Sequence, residues 1–175
     1  MTGAQLISLI GTSFGGGLAA YYAAKGPDAL QRLVLLNPQL NYKDRYIDQK
    51  PWWHNDYLDE EMADCLSERG YLDHSATVKH GDAFLNEVFW IRPNLVLREI
   101  AAPTLIVHGT KDTFVSIDSS RTAMRSLKPS DQLVEIDGAQ HGFAVHNDPG
   151  YLDPQSQQWQ AFVISTVTNW MSLDD

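Results

Sequence analysis

Apolar residues along the chain gather in short, nearly continuous runs closed by turn residues. Leu6-Ile7-Ser8-Leu9-Ile10 stops at Gly11, and Leu30-Gln31-Arg32-Leu33-Val34-Leu35-Leu36 stops at Asn37-Pro38. Pro103-Thr104-Leu105-Ile106-Val107 runs into His108-Gly109, and residues 132–136 run into Asp137-Gly138. Each run predicts a β-strand, and the run at 30–36 suits a strand buried on both faces. The segments between them carry helical signals. Residues 16–24, Gly-Gly-Leu-Ala-Ala-Tyr-Tyr-Ala-Ala, predict a buried helix whose small residues face a sheet, with Lys25-Gly26 as its stop. Residues 118–127 predict another helix. Residues 157–171 predict a terminal amphipathic helix with Trp159, Phe162, Val163, Val167 and Trp170 as its apolar stripe. Strands alternating with helices imply an α/β fold with a parallel sheet of about four strands flanked by helices.

Residues 39–99 break this alternation. Tyr42, Tyr46, Trp52, Trp53, Tyr57 and Tyr71 mix there with carboxylates. A helix is expected over 56–69, capped by Asn55 or Asp56, acidic in its first turns and stopped by Gly70. A second is expected over 82–90. The segment reads as a helical cap inserted into a single domain whose core is residues 1–38 and 100–175.

Composition narrows the partners. The chain has 175 residues, 43% hydrophobic and 20% charged, which is ordinary globular material. A net charge of −9 argues against nucleic acid and anionic membranes. No apolar run reaches the roughly 20 residues of a membrane span. The first basic residue is Lys25, so the start lacks the charged end of a signal peptide, and a cytoplasmic location is the default expectation. Cys65 is the single cysteine, which rules out an intrachain disulfide, and it reads as a half-buried helix position. The histidines fit no metal-ligand spacing, and no phosphate-cradling glycine motif occurs, so neither metal nor cofactor is expected.

The chemistry starts at Gly11-Thr12-Ser13-Phe14-Gly15, set between a strand and a glycine-rich helix. In that setting Gly-x-Ser-x-Gly is a nucleophile elbow. The turn holds the Ser13 hydroxyl above the sheet, and Gly11 and Gly15 are expected to spare a clash where helix and strand nearly touch. The helix N-terminus favours a developing oxyanion, with the Phe14 N–H as the first donor. A serine hydroxyl needs a base, and the base needs an orienting acid. Loops beyond the carboxyl ends of strands supply both. His108-Gly109-Thr110-Lys111-Asp112 follows one strand, and Asp137-Gly138-Ala139-Gln140-His141 follows the next. Asp112 and His141 are the candidates for acid and base. Asp137 is a rival acid but lies too near His141 in sequence. Asn37, after the 30–36 strand, holds the other place where such an acid can stand and is not one. His108, ending a strand, reads as structural.

With these residues in place, the chain resembles the α/β-hydrolase superfamily. The resemblance rests on Leu9-Ile10-Gly11-Thr12-Ser13-Phe14-Gly15-Gly16, Leu33-Val34-Leu35-Leu36-Asn37-Pro38, Ala102 through Val115, and Gly138-Ala139-Gln140-His141-Gly142-Phe143. The pattern is similar to cap-containing bacterial serine esterases. It implies the second half of that family's domain, strands five to eight, with the cap between six and seven. It also implies a serine hydrolase of carboxylic esters or thioesters, working through Ser13, His141, Asp112 and an acyl-enzyme. Acyltransferase and carbon–carbon bond hydrolase share this triad. Trp52, Trp53, Phe89, Trp90 and Phe143 are the candidate lining of a substrate pocket.

In that family the loop after strand three supplies a second oxyanion N–H, and no stretch of this chain matches it. An impaired, hydrolase-like binding or dimerisation module is therefore the alternative reading. The strand at Leu6 to Ile10 is expected to be covered along its open edge, by a second copy in a homodimer or by a preceding N-terminal half.

Overall fold

The structure is a computed structural model that describes residues 6–172. The chain divides into two compact units, Met1–Leu40 with Pro93–Asp175, and Asn41–Arg92.

The first unit is built on a sheet of β1 (Ile7–Thr12), β2 (Leu30–Leu36), β7 (Thr104–Gly109) and β8 (Gln132–Ile136), adjacent in that order. Every pairing is parallel. The helices of this unit are α1 (Ser13–Ala23), the short α4 (Pro93–Val96), α5 (Ile117–Ala123) and α6 (Pro154–Met171). The second unit contains β3 (Trp53–His54), β4 (Tyr57–Leu58), α2 (Glu60–Arg69), β5 (Tyr71–Asp73), β6 (Lys79–Gly81) and α3 (Asp82–Glu87).

Strand periodicity decides which side chains meet which helix. Successive strand residues point to opposite faces. Leu33, Leu35 and Ile106 join Ala19, Ala20 and Ala23 of α1 and Ala123 of α5 in one cluster. Val34, Leu105 and Val107, one position out of phase, join Ile136, Val163 and Trp170 in the other. The sheet is thus covered on both faces, and all six β7 residues are buried. β1 is the outer strand among the described residues; Leu6 just before it and Ile7 and Ile10 within it are 57%, 40% and 47% exposed.

Some expected features shift. α1 begins at Ser13, because the turn and the helix are continuous. α5 is shorter than expected and is capped by Ser116, whose hydroxyl accepts from the Asp118 N–H. α6 begins earlier, at Pro154, with the Asp153 carboxylate accepting from the Gln155 N–H at 2.7 Å. A proline at the first helical position needs no N–H there. In its stripe Val163 and Trp170 are buried and Trp159 and Val167 partly so, but Phe162 is 51% exposed and is not a core residue.

The inserted unit holds its helices together with two small hairpins. The expected helix over 56–69 begins instead at Glu60, capped by Asp59, which accepts from the Met62 N–H at 2.9 Å. Asn55 and Asp56 both take positive φ, 52° and 70°. Two consecutive left-handed residues make the two-residue turn of a hairpin, and here they join β3 to β4. Gly70 ends α2 in the left-handed region at φ 73°, as the sequence predicts. α3 stops at Glu87, short of the expected 90.

Candidate active site

Ser13 sits where β1 turns into α1, at φ 51°. A non-glycine residue rarely occupies this region, and such strain persists only when its surroundings hold it. The glycines explain how. A Cβ at Gly11 would lie 2.6 Å from the Ala19 Cβ and 2.6 Å from the Gly15 carbonyl oxygen. A Cβ at Gly16 would lie 2.8 Å from the Pro38 Cβ. At Gly15 it would meet nothing within 4 Å. The second steric requirement therefore falls on Gly16, because Gly15 faces outward from the strand–helix contact.

His141 and Asp112 reach the serine from the loops after β8 and β7. The His141 Nε2 lies 2.8 Å from the Ser13 Oγ, and its Nδ1 lies 2.6 Å from the Asp112 Oδ2. The Asp112 side chain is fully buried, and His141 is 23% exposed. The other carboxylate oxygen accepts from the Phe114 and Val115 N–H groups at 2.8 and 2.9 Å. Burial alone would push the Asp112 carboxyl up. Hydrogen bonds from His108, His141 and the Val115 N–H outweigh that and hold it well below the usual carboxylate range. An ionised Asp112 can only accept, so Nδ1 of His141 carries the proton and Nε2 is left to accept from the Ser13 hydroxyl.

His108 is completely buried at the end of β7. Its Nδ1 accepts from the Ser120 hydroxyl at 2.7 Å, and its Nε2–H donates to the Val115 carbonyl at 3.0 Å. The same Nε2 lies 3.3 Å from the Asp112 Oδ2. It is a structural histidine, as its sequence position suggests, and it also braces the carboxylate.

The other candidates separate. Phe14 lies in the first turn of α1. Phe143, at φ 55°, is buried in the core cluster with Val34 and Leu105, so its ring packs rather than lining an open pocket. Trp53 and Phe89 meet edge to face at 5.6 Å within the inserted unit, Trp52 is half-buried, and Trp90 is 71% exposed. Beside His141 is a cleft of about 440 Å³ lined by Phe114, Gln140, Val145 and Tyr151, among others. Phe114 is 61% exposed, and its ring centroid is 5.3 Å from that of His141. Sequence reasoning passed over Phe114, although it stands two residues after Asp112. It also gave Asn37 no role, although it identified that strand end as an acid-bearing position. Among the described residues no group of three His, Cys, Asp or Glu side chains could hold a metal ion.

A family model described as the alpha/beta hydrolase fold matches residues 1–61. Comparison with curated protein sequences gave no match. Many solved structures are similar. The esterase domain of a Rhodothermus marinus protein superposes with a TM-score of 0.60 at 16% identity, over 93% of this chain and 59% of that one. Mouse alpha/beta hydrolase domain-containing protein 10 gives 0.65 at 14%, over 98% and 65%. Est1E from Butyrivibrio proteoclasticus with ferulic acid bound gives 0.65 at 21%, over 93% and 60%. This chain therefore spans about three-fifths of the length of these relatives. Among the described residues no helix is long and apolar enough to cross a membrane. The parallel sheet, the strained serine turn and these likenesses together identify the protein as one with the α/β-hydrolase fold.

Proposed function

We propose that the protein is a serine hydrolase acting on carboxylic esters or thioesters. The observation that carries the reading is the continuous hydrogen-bonded line from Ser13 Oγ through both nitrogens of His141 to buried Asp112. In the first step His141 Nε2 takes the hydroxyl proton while Oγ bonds to the acyl carbon, giving a tetrahedral oxyanion. Asp112 holds the imidazole tautomer and offsets the imidazolium charge. The Phe14 N–H, at the start of α1, receives the oxyanion; one such donor is typically worth ~10²–10³ in turnover. The intermediate then expels the alcohol or thiol, which leaves with the proton from His141. Water enters by the same route in reverse and releases the acid.

Because His141 protonates the leaving group, that group lies on the imidazole side. The cleft lined by Phe114 and Tyr151 gives an apolar leaving alcohol room there. Purified protein should hydrolyse p-nitrophenyl acetate, and Ser13→Ala should lower the rate by at least ~10³-fold. Full activity in Ser13→Ala would end this reading.

A further inference from the structure

Asn37 does more than vacate an acid position. It stands at the end of β2, completely buried, at φ 43°. Its N–H continues the ladder to the Val107 carbonyl at 2.9 Å. Its side-chain oxygen accepts from the Gly109 N–H at 2.9 Å, at the end of β7, where the loop bearing Asp112 begins. Its side-chain nitrogen donates to the backbone carbonyl of His141 itself, 104 residues away in sequence. Two residues on, the Gln39 N–H donates to the Ser13 carbonyl at 2.8 Å. Between them Pro38 fills the space that only a glycine at position 16 leaves open. One tripeptide therefore touches the serine turn, the root of the acid loop and the backbone of the base.

The residue type is demanding. The position needs an acceptor and a donor side by side on a short side chain, and a backbone at ease in the left-handed region. Asparagine meets both needs. Aspartate would keep the acceptor but set a lone pair against the His141 carbonyl. Alanine would leave the Gly109 N–H and the His141 carbonyl without these partners.

We propose that Asn37 is a positioning residue that fixes the spacing of His141 from Ser13 and Asp112 through the His141 backbone. The proposal rests on the hydrolase reading for its kinetic consequence, but not for its structural one. A loop displaced by about 1 Å can cost ~10²-fold in rate while substrate binding stays intact.

The test compares the parent with Asn37→Asp and Asn37→Gly, glycine being at ease at this φ. Each is assayed well below its own unfolding midpoint. Expected for both is a fall in kcat of ~10- to 100-fold with KM within about twofold. The far-downfield NMR proton of the His141 Nδ1–H···Asp112 bond should broaden or move upfield in both. A folded Asn37→Gly protein with unchanged kcat and an unchanged resonance overturns the proposal. So does a loss confined to KM. If Asn37→Asp fails to fold, Asn37→Gly decides alone. If Ser13→Ala is as active as the parent, the hydrolase reading falls, and the resonance still decides the role of Asn37.

Discussion

The two units bury their residues by different means. In the sheet unit, aliphatic side chains alternate between two clusters, and the buried polar groups Asn37, His108, Asp112 and Ser120 bond to one another or to the backbone. In the inserted unit, Tyr46, His74, His80 and Phe84 stack in a ring cluster with neighbouring centroids 4.2–5.4 Å apart. Among the residues of α2 none is buried. Periodic aliphatic packing fixes the strand ends, and strand ends are where chemistry needs sub-ångström placement. A patch of aromatics and half-buried helix tolerates more change.

The sharpest contrast lies between two glycines. A Cβ at Gly109 would lie 2.8 Å from the Ala139 carbonyl carbon and 3.0 Å from the Gln140 oxygen, both backbone of the loop that carries His141. If the proposed hydrolase reading holds, Gly109→Ala should therefore cost ~10²-fold in the rate of p-nitrophenyl acetate hydrolysis, together with about 1–3 kcal/mol of stability. At Gly70 of the inserted unit a Cβ meets nothing, and only the φ of 73° opposes it. Gly70→Ala should cost about 1–2 kcal/mol. Equal losses of rate from the two variants would erase the distinction between the units.

A second comparison is smaller and purely energetic. Leu35 is fully buried, whereas Leu66 shares the half-buried face of α2 with Met62 and Cys65. Leu35→Ala should lower unfolding stability by about 2–5 kcal/mol. Leu66→Ala should lower it by less than ~1 kcal/mol. Urea denaturation of both variants would show whether the insertion is as tightly packed as the sheet.

What the sequence made legible follows the same division. The four sheet strands were readable because a strand covered on both faces is almost uninterrupted apolar sequence, as in Leu33-Val34-Leu35-Leu36. Ser13, Asp112 and His141 could be nominated because each follows such a strand. The hairpins of the insertion escaped notice because β3 and β4 are only two residues long, too short for any period to register. Their one signal was Asn55-Asp56, a left-handed pair that also reads as a helix cap. The exchange of roles between Gly15 and Gly16 depends on Pro38, and the part played by Asn37 depends on a bond across 104 residues. Partners of that kind belong to the tertiary structure, and no local pattern announces them.

Acid should separate the units along the pH axis, with the mildest effect of the three comparisons. Burial, the charge of His74 and the charge of Lys50 push His80 down to about 4 from an ordinary 6.5. Between those values the unfolded chain binds a proton that the folded unit refuses, so stability falls as pH drops across the window. Asp112 responds in the same direction but at lower pH. Its depressed carboxyl contributes stability that is fully present above its ordinary 3.8 and is lost only as pH falls below it. The inserted unit should therefore loosen first. Hydrogen exchange at pH 5 should show protection lost over 71–88 while β7, at 104–109, keeps its own. His80→Gln, which has no proton to gain, should flatten the loss between pH 6.5 and 4 and leave the acid transition of the sheet where it was. Simultaneous loss of protection in both segments would mean that the two units share one cooperative fate in acid, whatever their different packing.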